Sequence, residues 1–300
     1  MRPSWLEGRA GAGGVALETT LLAHGVPRDG AMGLASRLMA DVGASGATPA
    51  VVGVLGGRAI VGMTGEELGE LLASGDVRKV NTSNLGVALA GGWHGATTVS
   101  ATMEIAAAAG VRVFATGGIG GVHRGYAEAL DVSSDLMALA RFPVAVVASG
   151  VKSILDVEST REALETLGVP VIGYRTDSFP AFYVAESRAS VDERFDDVGS
   201  LARFVRLELE RSGRGILVAH PPPAGEAIDA ARMEAWLGEA TRRAHGLGAR
   251  GRDLTPVTLS ALHEVSGGAT LRVNVALARS NARLAGRLAA AMEGGDGGDP

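Results

Sequence analysis

Of the 28 basic residues in this 300-residue chain, 26 are arginine and only two are lysine, Lys79 and Lys152. A guanidinium neither forms an imine with a sugar aldehyde nor readily gives up its proton, and an amine does both. The two lysines are therefore candidates for work that arginine cannot do. Glu18 stands inside an otherwise apolar run, VALETTLL (15–22). A carboxylate there is costly to bury unless it is paired or used; the plain alternative is an edge strand turning it to solvent. The richest stretch is FATGGIGGVHRGYAEALDVSSD (114–135). Its glycines let a backbone approach a ligand with its N–H groups unshielded. His123 adds a titratable group and Arg124 a fixed cation, and Asp131 and Asp135 flank Ser133 and Ser134. The loop matches neither the dinucleotide-binding nor the P-loop pattern, so neither activity is inferred. Asp131 is free to hold a metal ion, although one carboxylate does not define a site.

Alternating strands and helices position these residues. Apolar runs predict strands at 15–22, 50–55, 59–63, 77–80, 111–115, 144–148, 169–174 and 215–219. Helical spacing covers 31–42, 97–109, 159–167, 201–211, 226–245, 255–265 and 271–292. Thr64 and Glu67 form a capping box for a helix through 72, and Ser133 caps a helix after the glycine loop. Lys79 then lies at a strand end just before a helix that Thr82 or Ser83 is expected to cap, a usual place to hold an anion. Lys152 follows the carboxyl end of a buried strand, where ligands bind in open α/β sheets. The polar segment 177–197, with Phe179, Phe182 and Tyr183, is long for a connection and reads as a lid or a subunit contact. Asn274 and Asn281 are seven apart on the last helix and share a face. The pattern predicts an α/β protein, layered α/β/α around a central, largely parallel or mixed sheet. It is read as one domain, 15–292, with disordered tails at 1–14 and 293–300.

A net charge of −5 argues against broad binding of nucleic acid. The absence of cysteine removes disulfides, thiol nucleophiles and cysteine-based zinc sites. No apolar signal core or membrane-spanning run is evident, so a cytoplasmic protein with no membrane partner is expected.

The motifs ALETTLLAHG (16–25), GATTVSATM (95–103), FATGGIGGVHRG (114–125), VKSILD (151–156) and GVPVIGY (168–174), in this order, resemble the pseudouridine-5′-phosphate glycosidase family, also called indigoidine synthase A-like. The resemblance spans about residues 15–290. It implies a layered α/β homotrimer that reversibly splits the C–C glycosidic bond of pseudouridine 5′-phosphate into uracil and ribose 5-phosphate, with a divalent metal, typically manganese. By resemblance Lys152 is the nucleophile at the sugar anomeric carbon, Glu18 the proton donor and Asp131 the metal ligand. Lys79, Val99, Ser133, Ser134 and Asp135 match substrate-binding positions.

An amine can open the ribose ring and hold C1′ as an imine-linked chain, provided that Lys152 is neutral. Glu18 would protonate the ring oxygen or shuttle the proton at the base. Thr116 and Lys79 are candidates for the 5′-phosphate. His123, Asp135 and Asn274 are candidates for orienting uracil or relaying protons. Against the family pattern, Thr82 and Ser83 stand in place of a basic pair, His220 in place of asparagine, and Ser280 in place of the first of two adjacent asparagines. The alternatives are another Schiff-base phosphosugar lyase, such as an aldolase, or a non-catalytic protein that binds a nucleotide or phosphosugar. A partner kinase that makes the phosphorylated substrate is expected by family analogy.

Overall fold

The computed structural model describes residues 3–126, 130–248 and 254–294. Its strands are β1 (Leu6–Gly8), β2 (Gly14–Glu18), β3 (Thr48–Leu55), β4 (Arg58–Val61), β5 (Val77–Val80), β6 (His94–Thr97), β7 (Val113–Ala115), β8 (Val122–His123), β9 (Ala145–Ala148), β10 (Leu155–Asp156), β11 (Val171–Tyr174), β12 (Glu193–Phe195) and β13 (Ile216–Ala219). The helices are α1 (Thr20–His24), α2 (Arg28–Gly43), α3 (Gly65–Ala73), α4 (Leu85–Ala90), α5 (Val99–Ala109), α6 (Ser134–Arg141), α7 (Val157–Thr166), α8 (Val198–Ser212), α9 (Ala230–Gly246), α10 (Leu254–Val265) and α11 (Ala269–Glu293).

Among the described residues, eleven strands form one sheet in the order β1-β4-β3-β2-β7-β9-β13-β11-β12, with β6 pairing β3 and β5 beside that path. All contacts from β3 through β2, β7, β9, β13 and β11 to β12 are parallel. Only β3–β4 and β3–β6 are antiparallel within it. The sheet is thus mixed and mostly parallel, as the strand–helix alternation predicts. β8 and β10 make a separate antiparallel pair.

Side-chain alternation along the central strands creates the layers. Val15, Leu17, Val113, Ala115, Ala145 and Val147 enter one core with α2, α8, α9 and α11. Ala16, Phe114, Val146 and Ala148 enter the other with α5 and α6. Each central strand is buried on both faces, so its sequence is a short unbroken apolar run.

The structure corrects several expectations. Residues 3–14 are not a loose tail: β1 adds to the sheet edge against β4, because Leu6 buries its side chain in the second core. Arg9 also bonds Glu67 there. Of the expected C-terminal tail, 295–300 lies outside the described residues. β2 stops at Glu18, where Thr19 leads into α1, and it lies between β3 and β7, so Glu18 is not on an edge strand. Thr82 and Ser83 do not cap α4. Its N-cap is Asn84, and the preceding loop closes on Asn81 Oδ1, which accepts N–H groups from Ser83 and Asn84.

The 177–197 segment is packed, not lid-like. Phe179, Phe182 and Tyr183 are buried, and the Phe182 N–H donates to the Ser149 carbonyl at 2.9 Å. The Thr64–Glu67 capping box and the Ser133 cap are present as read.

Candidate active site

Four neighbouring parallel strands, β2, β7, β9 and β13, bring their carboxyl ends together. Glu18 ends β2, Thr116 follows β7, Ser149 through Lys152 follow β9, and His220 follows β13. The chemistry-bearing residues sit where the sheet has run out of internal hydrogen-bond partners, so the loops must supply them.

Glu18 is buried, and its Oε1 accepts the Thr116 hydroxyl hydrogen. Burial pushes its carboxyl pKa up; the positive charge of Lys152 is the largest opposing influence, followed by the Thr116 hydrogen bond. The Asp135 charge adds to the rise and that of Lys79 opposes it. A carboxylic acid held against ionisation is suited to donate a proton. Thr116, expected at the phosphate, commits its hydroxyl to Glu18, which makes it a holder of the acid.

Lys152 is partly buried, and its backbone N–H donates to the Ile119 carbonyl at 3.1 Å. Gly150, two residues earlier, has φ 70°, and a methyl there would overlap the Pro180 carbonyl oxygen. Only glycine fits, so the chain can turn sharply between β9 and Lys152.

Lys79 is exposed near the end of β5, with protein packed around part of its side chain. Burial lowers its pKa, as does the charge of Lys152, while Asp135 and Glu18 raise it. Glu18, Lys79, Lys152 and Asp135 thus form one electrostatic cluster, although 134 positions separate Glu18 from Lys152 in sequence.

Asp135 is a buried clamp. Its Oδ1 accepts the Ser100 N–H at 2.9 Å, within the first turn of α5, and its Oδ2 accepts the Gly120 N–H at 2.8 Å. The Ser133 hydroxyl accepts the Asp135 N–H at 3.2 Å, and the Ser134 hydroxyl lies 3.0 Å from that of Ser100. Val99, buried at the first position of α5, can offer substrate only its backbone, beside this cluster.

The glycine loop is less open than its composition suggests. Gly120 has no room for a side chain because Ser133 and Asp135 press against it, and the N–H groups of Ile119 and Gly120 go to Gly150 and Asp135. Among the described residues, the N–H groups of Gly117 and Gly118 meet no protein acceptor. Beside them Asn274 is buried with its Oδ1 unpartnered. An unpaired buried acceptor is costly unless a ligand answers it.

His123 is half-buried on β8, its Nδ1 3.6 Å from Asp131 Oδ2. Asp131 is exposed, and the described residues contain no group of three metal-ligating side chains. Asp131 alone would give a hard cation one protein ligand, and every other ligand would have to come from water or substrate.

Sequence reading did not find the roles of Ser100, Ser149, His220 and Asn281. Asn281 is fully buried and donates from Nδ2 to the Thr116 carbonyl at 2.8 Å, the Gly117 carbonyl at 3.4 Å and Ser149 Oγ at 3.1 Å. The shared face of Asn274 and Asn281 was the available signal.

The chain belongs to the indigoidine synthase A like protein family, whose model matches residues 9–291. It is 47% identical over 286 residues to the pseudouridine-5′-phosphate glycosidase of Methylobacterium nodulans, covering 95% of this chain and 85% of that one. It is 45% identical over 288 residues to the pseudouridine-5′-phosphate glycosidase of Chloroflexus aurantiacus, covering 94% and 93%. The crystal structure of the prealnumycin C-glycosynthase AlnA in complex with ribulose 5-phosphate superposes with a TM-score of 0.90 at 36% identity, covering 97% and 98% of the two chains. An indigoidine synthase A-like protein of Thermotoga maritima gives 0.87 at 36% identity, covering 95% of each.

Proposed function

We propose that this chain is a pseudouridine-5′-phosphate glycosidase, cleaving the C1′–C5 bond reversibly to uracil and ribose 5-phosphate. The observation that carries the proposal is the buried Glu18, bonded to Thr116 and set in one electrostatic cluster with Lys152 and Lys79. The similarity to relatives of that name over most of the chain supports it.

The chemistry follows from the residues. The Lys152 amine, in its neutral form, bonds to C1′ as the C1′–O4′ bond breaks, and Glu18 gives the ring oxygen its proton. C1′ then carries both the amine nitrogen and uracil C5. Once C5 takes a proton, the nitrogen lone pair expels the base: the C1′–C5 bond breaks, leaving uracil and a protonated imine of open-chain ribose 5-phosphate. Water hydrolyses the imine and frees Lys152.

Asn274 Oδ1 and the Gly117 and Gly118 N–H groups offer an acceptor beside donors, which suits the alternating N–H and C=O edge of uracil. His123, on β8 beside Asp131, is the candidate for moving a proton at the base. Lys79, with Ser134 and the start of α5, is the candidate phosphate end, consistent with the phosphosugar bound by AlnA.

A divalent ion, manganese by family expectation, would be held by Asp131 mainly through water and would offset the charge of anionic substrate oxygens. A homotrimer in the cytoplasm completes the proposal; light scattering tests the assembly. Among the described residues no helix is long and apolar enough to cross a membrane. The same site run in reverse would build a C-glycoside, a second reading favoured by the likeness to a C-glycosynthase.

The test is uracil release from pseudouridine 5′-phosphate by manganese-loaded protein, with a chelator control. Metal-dependent release is expected. No release by folded, loaded protein overturns the proposal.

A further inference from the structure

His220 lies outside the chemistry just described, yet it is tied to it through one side chain. It leaves β13 directly, and its backbone N–H donates to the Ala148 carbonyl at 2.9 Å. Its Nδ1 lies 3.0 Å from Asn281 Oδ1. Asn281 Nδ2 lies among three oxygens, the Thr116 and Gly117 carbonyls and Ser149 Oγ. Turned the other way, the amide would set its own oxygen against two carbonyl oxygens, so Oδ1 must face His220 and accept. His220 Nδ1 therefore carries the hydrogen. The ring is held neutral: burial pushes its pKa down to about 4, outweighing the Asn281 hydrogen bond that favours the charged form. Nearby Arg287, Arg175 and Arg283 push it the same way as burial. The Tyr174 ring stands edge-on at 5.8 Å and limits its rotation.

The atoms that Asn281 grips are not incidental. Thr116 carries the hydroxyl that holds Glu18. Ser149 lies three residues before Lys152. One amide thus joins the end of β7, on the acid side, to the end of β9, on the nucleophile side.

We propose that His220 is a positioning residue: by donating its Nδ1 hydrogen to Asn281, it fixes the amide that sets Glu18 and Lys152 in register across the adjoining strand ends. This rests on the proposed glycosidase reaction. His220 touches no reacting atom in this scheme; it acts through Asn281.

Stereochemistry supplies a sharp test. The asparagine Nδ2 occupies the same bonded position from the backbone as the histidine Nδ1, whereas the glutamine Nε2 corresponds to the other ring nitrogen. H220N therefore restores the donor, and H220Q, with the same amide, misplaces it. Kinetics of uracil release are measured on the full chain for wild type, H220N, H220Q and H220L, with thermal unfolding of each. H220N is expected within about twofold of the wild-type kcat, and H220Q and H220L to lose about tenfold in kcat with KM nearly unchanged, since misplaced catalytic groups act on the transition state. Equal kcat for H220N and H220Q, or a wild-type kcat in H220L, overturns the proposal.

An independent reading comes from nitrogen-15 shifts of the His220 imidazole at neutral pH. A hydrogen on Nδ1, lost from that position in N281A, is expected. A hydrogen on Nε2 overturns the proposal even if the protein acts on another substrate. If wild type releases no uracil but carries the Nδ1 hydrogen, the glycosidase reading fails while the hydrogen-bond relay stands.

Discussion

The Asp135 carboxylate bridges Gly120 and Ser100, two backbone N–H groups twenty residues apart, at 2.8 and 2.9 Å. One side chain thereby joins the glycine loop to the first turn of α5. Asp135→Asn is expected to leave one N–H facing the new amide's hydrogens and to destabilise the fold by about 1–3 kcal/mol. Denaturant unfolding measures it; an unchanged midpoint would show that the clamp carries no weight.

Glu18→Gln keeps an oxygen for the Thr116 hydroxyl but has no proton to give. Turnover is expected to fall by about 10²–10⁴-fold, the usual scale of general acid catalysis, with substrate affinity largely kept. Steady-state kinetics with a binding assay separate the two effects.

The same substitution has the opposite effect on stability. Glu18 is raised above its ordinary value of 4.5 by burial. Below 4.5 both folded and unfolded chains hold the proton, and the native state bears no penalty. As pH rises, the unfolded chain ionises first, so stability is lost progressively until the raised native value is passed. Glu18→Gln removes that loss. The variant should melt higher than wild type at pH 7 to 8, and the gap should narrow towards pH 4. A constant gap across this range would contradict the assignment.

Lys79→Met is expected to weaken binding of ribose 5-phosphate by about 10- to 100-fold while leaving ribose nearly unaffected, the cost of a charge-assisted contact. Competition assays with the two sugars measure the difference. Equal weakening would move the phosphate elsewhere.

Lys152→Ala should abolish turnover but keep ligand binding. Borohydride reduction in the presence of ribose 5-phosphate should add the sugar to wild type at Lys152 and to nothing in the variant, as peptide mass spectrometry reports. Unchanged turnover in the variant would sink the imine mechanism.

The central strands, the long last helix and the two lysines were legible because each is a local pattern: an unbroken apolar run, a 3.6-residue period, or a rare residue type where arginine is the habit. Glu18 was legible as an anomaly within such a run. What could not be read was partnership. Asn281 reaches Thr116 across 165 positions, and no periodicity encodes that. The glycines of 117–121 suggested an open cradle, whereas Gly120 is packed under Ser133 and Asp135; a glycine looks the same in sequence whether a ligand or a neighbouring side chain takes its space. Residues 3–14 looked loose because β1 has three residues, too few to show alternation, and Arg9 finds Glu67 only across 58 positions.

Because the strand ends that carry Glu18, Thr116, Lys152 and His220 come from separate stretches of chain, the active centre has no local precursor. Thr116 reaches Glu18 across 98 positions and Asn281 across 165, so both closures must be complete before acid and amine face each other. Parallel pairing of this kind forms slowly. A collapsed, helix-bearing state in which these strand ends had not yet met would hold every residue of the site and none of its chemistry. Recovered turnover during refolding would be a late clock, keeping time with the docking of the last helix rather than with the gain of secondary structure.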